Sequence, residues 1–264
     1  GMDHACVLTG GTIKCWGLNT NGQLGDGTTT RHTTSVDVSG ITTATSIALG
    51  GMHSCALLAG GTIKCWGSNH RGGLGDGTTT RHTTPVNVSG ISTATSLALG
   101  TSHTCALLTG GAIKCWGGNY DGQLGDGTIT DRATPVDVSG ITTATSLALG
   151  YRHTCALLTG GTIKCWGKNG NAELGNGTTT DSTTPVDVSG ITTATSLALG
   201  EYHSCALLAG GTIKCWGSNW GKLGDGTTTD RTTPVDVSGS PCDASAAPTN
   251  GGAGDCTSSL ASGS

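Results

Sequence analysis

The chain has no phenylalanine, few charged residues and no basic run. Only 11% of its 264 residues are charged and 3% are aromatic, and the formal net charge is −4. Proteins that bind nucleic acid normally carry clustered Lys and Arg, so we expect no nucleic-acid partner. No apolar stretch approaches the roughly 20 residues of a membrane-spanning helix, so we also expect no direct membrane insertion in this segment.

Glycine and cysteine are abundant instead, with 47 Gly and 12 Cys. The triplet CWG recurs every 50 residues, and each period holds four short strand-like stretches bounded by turn-forming residues. In the fourth copy these stretches are residues 145–150, 153–158, 162–167 and 184–190. Four short strands in a period of this length are typical of a β-propeller blade. The sequence therefore predicts an all-β propeller; a β-solenoid is the alternative, although its coils are usually shorter.

The repeats extend over residues 1–239, which we interpret as one propeller domain. Its blades fall at about 1–50, 51–100, 101–150, 151–200 and 201–239. The first repeat begins at its second strand, so we expect that blade to lack its first strand. Residues 240–264 are rich in Gly, Ala and Ser and are typical of a linker or tail. The five copies leave two possibilities open, a ring of five blades or part of a larger ring.

The fourth copy reads HTCALLTGGTIKCWGKN, followed by ELGNGT, TPVDVSG and SLALG. Together with GLNTNGQLGDGT and GGNYDGQLGDGT in other copies, this motif resembles the regulator-of-chromosome-condensation repeat over residues 1 to about 239. The resemblance implies a propeller, in that family usually of about seven blades. It also implies protein binding through the propeller faces, as the best-known relative binds chromatin and a small GTPase. The acidity and the cysteines of this chain argue against those two partners, so only the mode of binding carries over.

Each repeat contains two cysteines on either side of a Gly-Gly turn. A three-residue loop at 109–111 places Cys105 opposite Cys115, and a two-residue turn in the first copy places Cys6 opposite Cys15. Directly opposed residues have Cα atoms about 4.5–5.5 Å apart, which lies within the disulfide range. We therefore predict six disulfides: Cys6–Cys15, Cys55–Cys65, Cys105–Cys115, Cys155–Cys165, Cys205–Cys215 and Cys242–Cys256.

Two other interpretations of the cysteines remain open. Zinc is one, because His103 shares a strand face with the cysteine pair of its copy; a closed site would need a fourth ligand, and no repeated residue is obviously suitable. Redox thiols are the other, although these normally occur as Cys-x-x-Cys. We favour disulfides, predict no metal site, and expect an extracellular, periplasmic or cell-surface location because disulfides persist in oxidising compartments.

Residues present in every copy are best explained by a task that all blades share. We interpret the repeated histidine as a hydrogen-bonded side chain at the blade junction, with a metal or proton-relay ring as the alternative. The repeated tryptophan fits packing between blades, and the GDGT aspartate fits turn formation, with calcium binding a weak alternative. The histidines are His4, His53, His103, His153 and His203, and the tryptophans are Trp16, Trp66, Trp116, Trp166 and Trp216.

Two loops differ between copies, the one joining the first and second strands and the one joining the third and fourth. Antiparallel strands place both loops on one face of the propeller. All three tyrosines and the non-repeated tryptophan fall in these loops, and aromatic residues and Arg are enriched at binding hot spots; neutral drift is the alternative. The charged segments at 31–32, 81–82, 131–132 and 230–231 we interpret as solvated outer loops. We predict a binding surface formed by Tyr120, Tyr151, Tyr202, Trp220, Arg71, Arg152, His70, Met52, Asp121 and Glu201.

No catalytic constellation stands out in the sequence. It contains neither a phosphate-binding glycine loop nor paired carboxylates. We therefore predict a non-catalytic, secreted or cell-surface propeller that needs no cofactor and binds a protein or glycan ligand. The alternative is a structural component of an extracellular filament, stalk or surface layer, formed by association of copies of the chain. A propeller lyase-type enzyme is a minor alternative.

Overall fold

The computed structural model describes residue 1 and residues 3–239, which form five antiparallel β-sheets arranged as propeller blades. This confirms the all-β propeller predicted from the repeat. The described residues form strands and turns without a helix, so none of them belongs to a helix that could cross a bilayer. Cys242, Cys256 and the rest of the predicted tail lie outside the described residues.

The first blade has three strands and each later blade has four. The first blade contains β1 (His4–Thr9), β2 (Thr12–Gly17) and β3 (His32–Asp37), and the second contains β4 (Ala44–Leu49), β5 (His53–Leu58), β6 (Ile63–Gly67) and β7 (His82–Asn87). The third contains β8 (Ala94–Leu99), β9 (His103–Leu108), β10 (Ile113–Gly117) and β11 (Arg132–Asp137). The fourth contains β12 (Ala144–Leu149), β13 (His153–Leu158), β14 (Ile163–Gly167) and β15 (Ser182–Asp187). The fifth contains β16 (Ala194–Leu199), β17 (His203–Leu208), β18 (Ile213–Gly217) and β19 (Arg231–Asp236).

Strand order follows the chain, so each blade is an antiparallel meander. The strands β4, β8, β12 and β16 lie side by side around the axis, and the first blade lacks its counterpart of them, as its sequence predicts. In the fourth blade, β12 and β14 differ from the predicted strands by one residue, whereas β15 differs more, because it covers Ser182–Asp187 and not 184–190. The Val188 N–H still donates to the Ile163 carbonyl of β14, but the Ser189 N–H donates to the Gly175 carbonyl of the preceding loop, at 3.0 Å, so the pairing does not extend to residue 190.

The hairpins that carry the cysteines have the predicted register. Cys105 lies opposite Cys115, and the shorter turn of the first blade still leaves Cys6 opposite Cys15. Gly110 adopts a φ of +92° in the longer turn, a left-handed conformation that glycine enters at little cost. All five cysteine pairs within the blades are disulfides with Cα atoms 4.1 Å apart.

Neighbouring blades pack through two unlike faces. One face presents the disulfide together with a Leu and an Ile, and the facing blade presents an Ala and the CWG tryptophan. Between the third and fourth blades, Leu107 and Ile113 pack against Ala156 and Trp166, and all four side chains are buried. Aromatic side chains of this size dominate the energetics of such cores. The predicted role of the repeated tryptophan in packing between blades is therefore confirmed.

A buried chain of hydrogen bonds crosses each junction beside this core. The Thr154 hydroxyl donates to the Gln123 carbonyl at 2.9 Å, and the Trp166 Nε1–H donates to the same carbonyl at 3.0 Å. His103 Nε2 lies 3.0 Å from that hydroxyl. Because the hydroxyl has one proton and gives it to the carbonyl, His103 must donate from Nε2. The same arrangement links His4, His53 and His153 to the following blade, which confirms the predicted junction role.

Burial keeps these four histidines uncharged at neutral pH. It lowers the pKa of His103 and His153 to about 3 and that of His4 and His53 to about 4, and neighbouring positive charges add to the effect. A buried imidazolium would lose its hydration, which disfavours the charged form. The repeated histidines are therefore neutral links between blades.

The outer faces of the first and last blades are less covered than the junctions. Leu207 and Ile213 of the fifth blade are 40% and 37% exposed, whereas Leu157 and Ile163 of the fourth blade are 6% and 1% exposed. Val7 of the first blade is 45% exposed. We call these two surfaces the end faces. Within the described residues, the end faces carry the two halves of a blade junction, one on each.

Candidate binding face

The two variable loops of each blade lie together on one face of the propeller. A backbone hydrogen bond joins them in all five blades; in the second blade the Ser68 N–H donates to the Met52 carbonyl at 2.9 Å. The other turns are joined at the opposite strand ends, where the Ala94 N–H donates to the Gly61 carbonyl at 3.0 Å. We call the first surface the variable-loop face and the second the opposite face.

Arg71, in the loop between β6 and β7, contacts the third blade in two ways. Its Nη1 donates to Asp131 at 3.1 Å, and its guanidinium carbon lies 4.1 Å from the centroid of the Tyr120 ring. The Asn119 N–H donates to the same carboxyl group at 2.7 Å, which fixes its position. A cation–π contact at an exposed site stabilises by about 0.5–1 kcal/mol. Arg71 is therefore held from two sides on the variable-loop face.

Arg152, in the loop between β12 and β13, forms a second cluster with similar chemistry. Its Nη1 lies 3.3 Å from Asp121 of the third blade, and its guanidinium carbon lies 5.2 Å from the centroid of the Tyr151 ring. The Tyr151 and Tyr202 rings are tilted by 52° with centroids 5.5 Å apart, a favourable aromatic geometry. The adjacent residues Tyr120 and Asp121 thus hold one arginine each, on either side of the third blade.

A cavity of about 240 Å³ opens on the variable-loop face among the second, third and fourth blades. Arg71 and Arg152 both line it, together with Tyr151 and the loop segments 51–53 and 101–102. Within the described part of the chain, no acidic residue contributes to its wall. The cavity therefore joins the two arginine clusters into one continuous site.

The remaining predicted residues take different positions on this surface. Met52 and His70 line the same cavity, whereas Glu201 lines a second cavity of about 330 Å³ where the inner strands end at the axis. Trp220 is 83% exposed and adopts a φ of +35°, which is unfavourable for a bulky residue. No ring contact joins Trp220 to either arginine cluster in the described structure.

Asp131 is a member of the site that the sequence did not identify. The charged segment containing it was expected to be a solvated outer loop; both side chains are about one third exposed, but each forms an ion pair and Arg132 begins β11. Asp131 fixes Arg71, and Arg132 Nη2 lies 2.9 Å from Asp126 of the GDGT turn. The signal that could have found Asp131 is its charge, because it is opposite to that of Arg71 on the neighbouring variable loop.

Turn formation accounts for the repeated GDGT aspartates. Asp26 Oδ1 accepts the Thr28 N–H at 2.9 Å and the Asn19 side-chain amide at 3.1 Å. In residues 1 and 3–239, His, Cys, Asp and Glu form no group of three or more that could hold a metal ion. Hydrogen bonding, stacking and ion pairing are therefore the interactions that the variable-loop face offers to a ligand.

Comparisons with known proteins agree with the fold. The chain matches the "Regulator of chromosome condensation (RCC1) repeat" over residues 11–57, 61–107 and 111–157. A second form of the same repeat matches residues 44–72, 94–123, 144–173 and 194–219. No curated protein matches the chain in sequence.

Several solved structures are similar to this one. Human WBSCR16 is 24% identical with a TM-score of 0.82, over 92% of this chain and 67% of that chain. Yeast Prp20, solved with Kap60, is 22% identical with a TM-score of 0.79, over 91% of this chain and 63% of that chain. The ectodomain of the Physcomitrella patens receptor kinase CR4 is 25% identical with a TM-score of 0.51, over 81% of this chain and 48% of that chain. The chain thus spans about two thirds of the length of the first two structures.

Proposed function

Because the chain belongs to the regulator of chromosome condensation repeat family, we propose that it is a non-catalytic propeller that binds a partner protein through its variable-loop face. The observation that carries this proposal is the pair of arginine–tyrosine clusters around one cavity. Tyr, Trp and Arg are the residues most enriched at interface hot spots. The non-repeated aromatics, together with Arg71 and Arg152, all belong to the loops of the variable-loop face.

The clusters favour selection for binding over neutral drift. Arg71 and Arg152 each combine an ion pair with a ring contact across two loops. Unrelated exposed substitutions would not be expected to produce two such matched sets. Side chains that are already held lose less conformational freedom when a partner binds, so the same contacts also improve affinity.

Relatives support the type of partner and the location. Yeast Prp20 was solved in complex with another protein, Kap60, which agrees with protein binding by this fold. The CR4 structure is an ectodomain, so a similar fold occurs outside the cell. The five disulfides of the described blades indicate an oxidising compartment. We therefore place this propeller at the cell surface or in the extracellular medium.

A second candidate function rests on the end faces. Their exposed apolar side chains, among them Leu207 and Ile213, could associate with another copy of the chain. That property would suit a component of an extracellular filament, stalk or surface layer. We rank it second because the variable-loop face has the richer chemistry for recognition, and we rank a glycan ligand or lyase activity below both.

The test replaces the four non-repeated aromatics, Tyr120, Tyr151, Tyr202 and Trp220, with alanine in one variant. Immobilised protein would capture partners from a cell-surface extract of the producing organism, with cross-linking and mass spectrometry as the readout. We expect the variant to lose the captured proteins that the unmodified chain retains. Its thermal midpoint should change little, because these side chains lie outside the junction cores.

The matched control carries four alanine substitutions on the opposite face. Thr42, Ser92, Thr142 and Thr192 are exposed there and occupy equivalent turn positions. This control should retain every captured protein. Retention of the same proteins by the aromatic variant would overturn the proposed function.

A further inference from the structure

The cavity between the second and fourth blades combines two cationic walls with several small polar groups. Arg71 and Arg152 both line it, and the polar residues Ser68, Thr101 and Ser102 belong to the same lining. None of the described residues in that lining is acidic. An anionic group could therefore enter without facing a carboxylate in the wall.

Each arginine is held in position and still has N–H donors that are available to a ligand. Asp131 and Asp121 contact only one Nη atom each, at 3.1 and 3.3 Å, and neither aspartate lines the cavity. A guanidinium has five N–H donors, so each retains donors for a ligand. The aspartates fix the two guanidinium groups from outside the cavity, which lowers the entropy lost on binding.

The two arginines are not needed by the blade fold. Arg71 occupies a position held by Asn21, Asp121 and Asn171 in three other copies. The position of Arg152 is equally variable, since Asp3, Met52, Ser102 and Tyr202 occupy it elsewhere. The blades on either side of the third blade bring these two arginines to one cavity. A role shared by all blades therefore does not account for them.

The size of the cavity limits what it can hold. Its volume of about 240 Å³ is below the roughly 300–1,000 Å³ of sites that enclose a whole small molecule. One protruding side chain would fit better than an oligosaccharide. Arginine matches the planar geometry of a carboxylate through paired hydrogen bonds.

We propose that this cavity binds a carboxylate presented by an acidic side chain of the partner protein, between Arg71 and Arg152. The inference rests on the proposed function, since it specifies the chemistry of the partner at the centre of the variable-loop face. Tyr151 forms the apolar wall against which the methylene groups of a glutamate would pack. The surrounding tyrosines would contact the neighbouring residues of the partner.

The experiment titrates isotope-labelled protein with N-acetyl-L-glutamate and follows the backbone amide signals of Gly51, Thr101 and Ser102 by NMR. Binding on the order of millimolar is expected for a probe of this size. N-acetyl-L-glutamine has the same shape without the charge and should produce no saturable shift. Arg71→Gln and Arg152→Gln should each weaken binding by about tenfold, because a hydrogen bond to a charged group is lost.

Arg31→Gln is the matched control, since it removes the same charge from an exposed position outside the cavity. It should leave the affinity unchanged, whereas Arg71→Lys, which keeps the charge but loses the planar fork, should weaken binding. Circular dichroism checks that each variant unfolds at the same thermal midpoint as the unmodified chain. Equal binding of both probes, or equal loss with Arg31→Gln, would overturn the inference.

Glucuronate tests the other source of a carboxylate. If glucuronate shifts these signals and N-acetyl-L-glutamate does not, the cavity takes an acidic sugar and the proposal of a protein side chain fails. The result is separable from the aromatic-variant test of the proposed function. If the titration shows no binding but partner capture still depends on the four aromatics, only the carboxylate site is refuted. If the titration saturates but capture does not depend on the aromatics, only the proposed function is refuted.

Discussion

The junction histidines stabilise the blade junctions when they are neutral and would destabilise them if they were protonated. His103 and His153 donate from Nε2 to the next blade, while their Nδ1 atoms are buried without a partner in the described structure. Protonation would place an N–H at that buried atom with no acceptor. It would also place positive charges near one another, because neighbouring histidines already lower the pKa of His103.

We predict that acid destabilises the propeller. The folded-state pKa of His103 and His153 is about 3, below the unfolded value of about 6.5, so the unfolded chain binds more protons between these values. The contribution of these histidines to the free energy of unfolding is therefore fully present above about pH 6.5, and it decreases as the pH drops below that value. The loss should reach about 1–2 kcal/mol per junction histidine by about pH 5. Urea unfolding at a series of pH values measures it.

Two variants assign this pH dependence. His103→Gln should lower stability at neutral pH but reduce the further loss between pH 6.5 and 5, because one proton-binding site is gone. His70→Gln should change the pH profile much less than His103→Gln, because His70 is exposed and acts on the junctions only as a charge near His53. An identical slope in His103→Gln and the unmodified chain would show that other groups cause the acid sensitivity.

The roles of residues that recur in every copy could be predicted from the sequence, whereas the contacts of residues that do not recur were harder to predict. The repeated histidine was assigned to the blade junction because five copies must share one task. Asp131 was not recognised as part of the site because its contact with Arg71 joins two loops 60 residues apart. Loop side chains of this kind are positioned by the packing of neighbouring blades, which the periodicity of the sequence does not contain.

At the scale of the element, the cysteine hairpin was the most predictable part of the molecule. Its two strands are adjacent in sequence, and its register is fixed by a turn of two or three residues. The fourth strand was less predictable, since its end depends on where Ser189 finds a partner for its N–H. The pairing of adjacent strands can therefore be predicted from the repeat sequence, whereas the end of the fourth strand depends on contacts with the preceding long loop.

We predict that each hairpin disulfide adds about 2–3 kcal/mol to the free energy of unfolding, because it restricts the unfolded chain over a short loop. The double variant Cys105→Ala/Cys115→Ala should lose about that amount in urea unfolding. Cys205→Ala/Cys215→Ala is the matched comparison, with the same sequence separation of 10 residues. Cys105 is fully buried but Cys205 is not. If only the Cys105→Ala/Cys115→Ala variant loses stability, the disulfide acts through packing in the folded state and not by restricting the unfolded chain.

At the scale of the whole molecule, the junction chemistry continues onto surfaces that no described blade covers. The end face of the fifth blade presents Leu207 and Ile213, whose counterparts in the second to fourth blades are buried against an Ala and a Trp. On the first blade Val7 occupies the position that is Ala56 in the second and Ala106 in the third. The larger side chain would overfill an internal junction. Contact between the two end faces would therefore differ in detail from an internal junction.

For the second candidate function we predict self-association through the fifth-blade end face. Contiguous apolar surface on a soluble protein marks an interaction site, so sedimentation velocity should show species larger than the monomer that grow with protein concentration. Leu207→Lys/Ile213→Lys should shift the chain to the monomer. Ile129→Lys is the control, because Ile129 is 62% exposed but belongs to a loop and not to an end-face strand. If the unmodified chain is monomeric at every concentration, the filament or surface-layer function loses its structural support, and recognition through the variable-loop face is left as the function that the exposed chemistry favours.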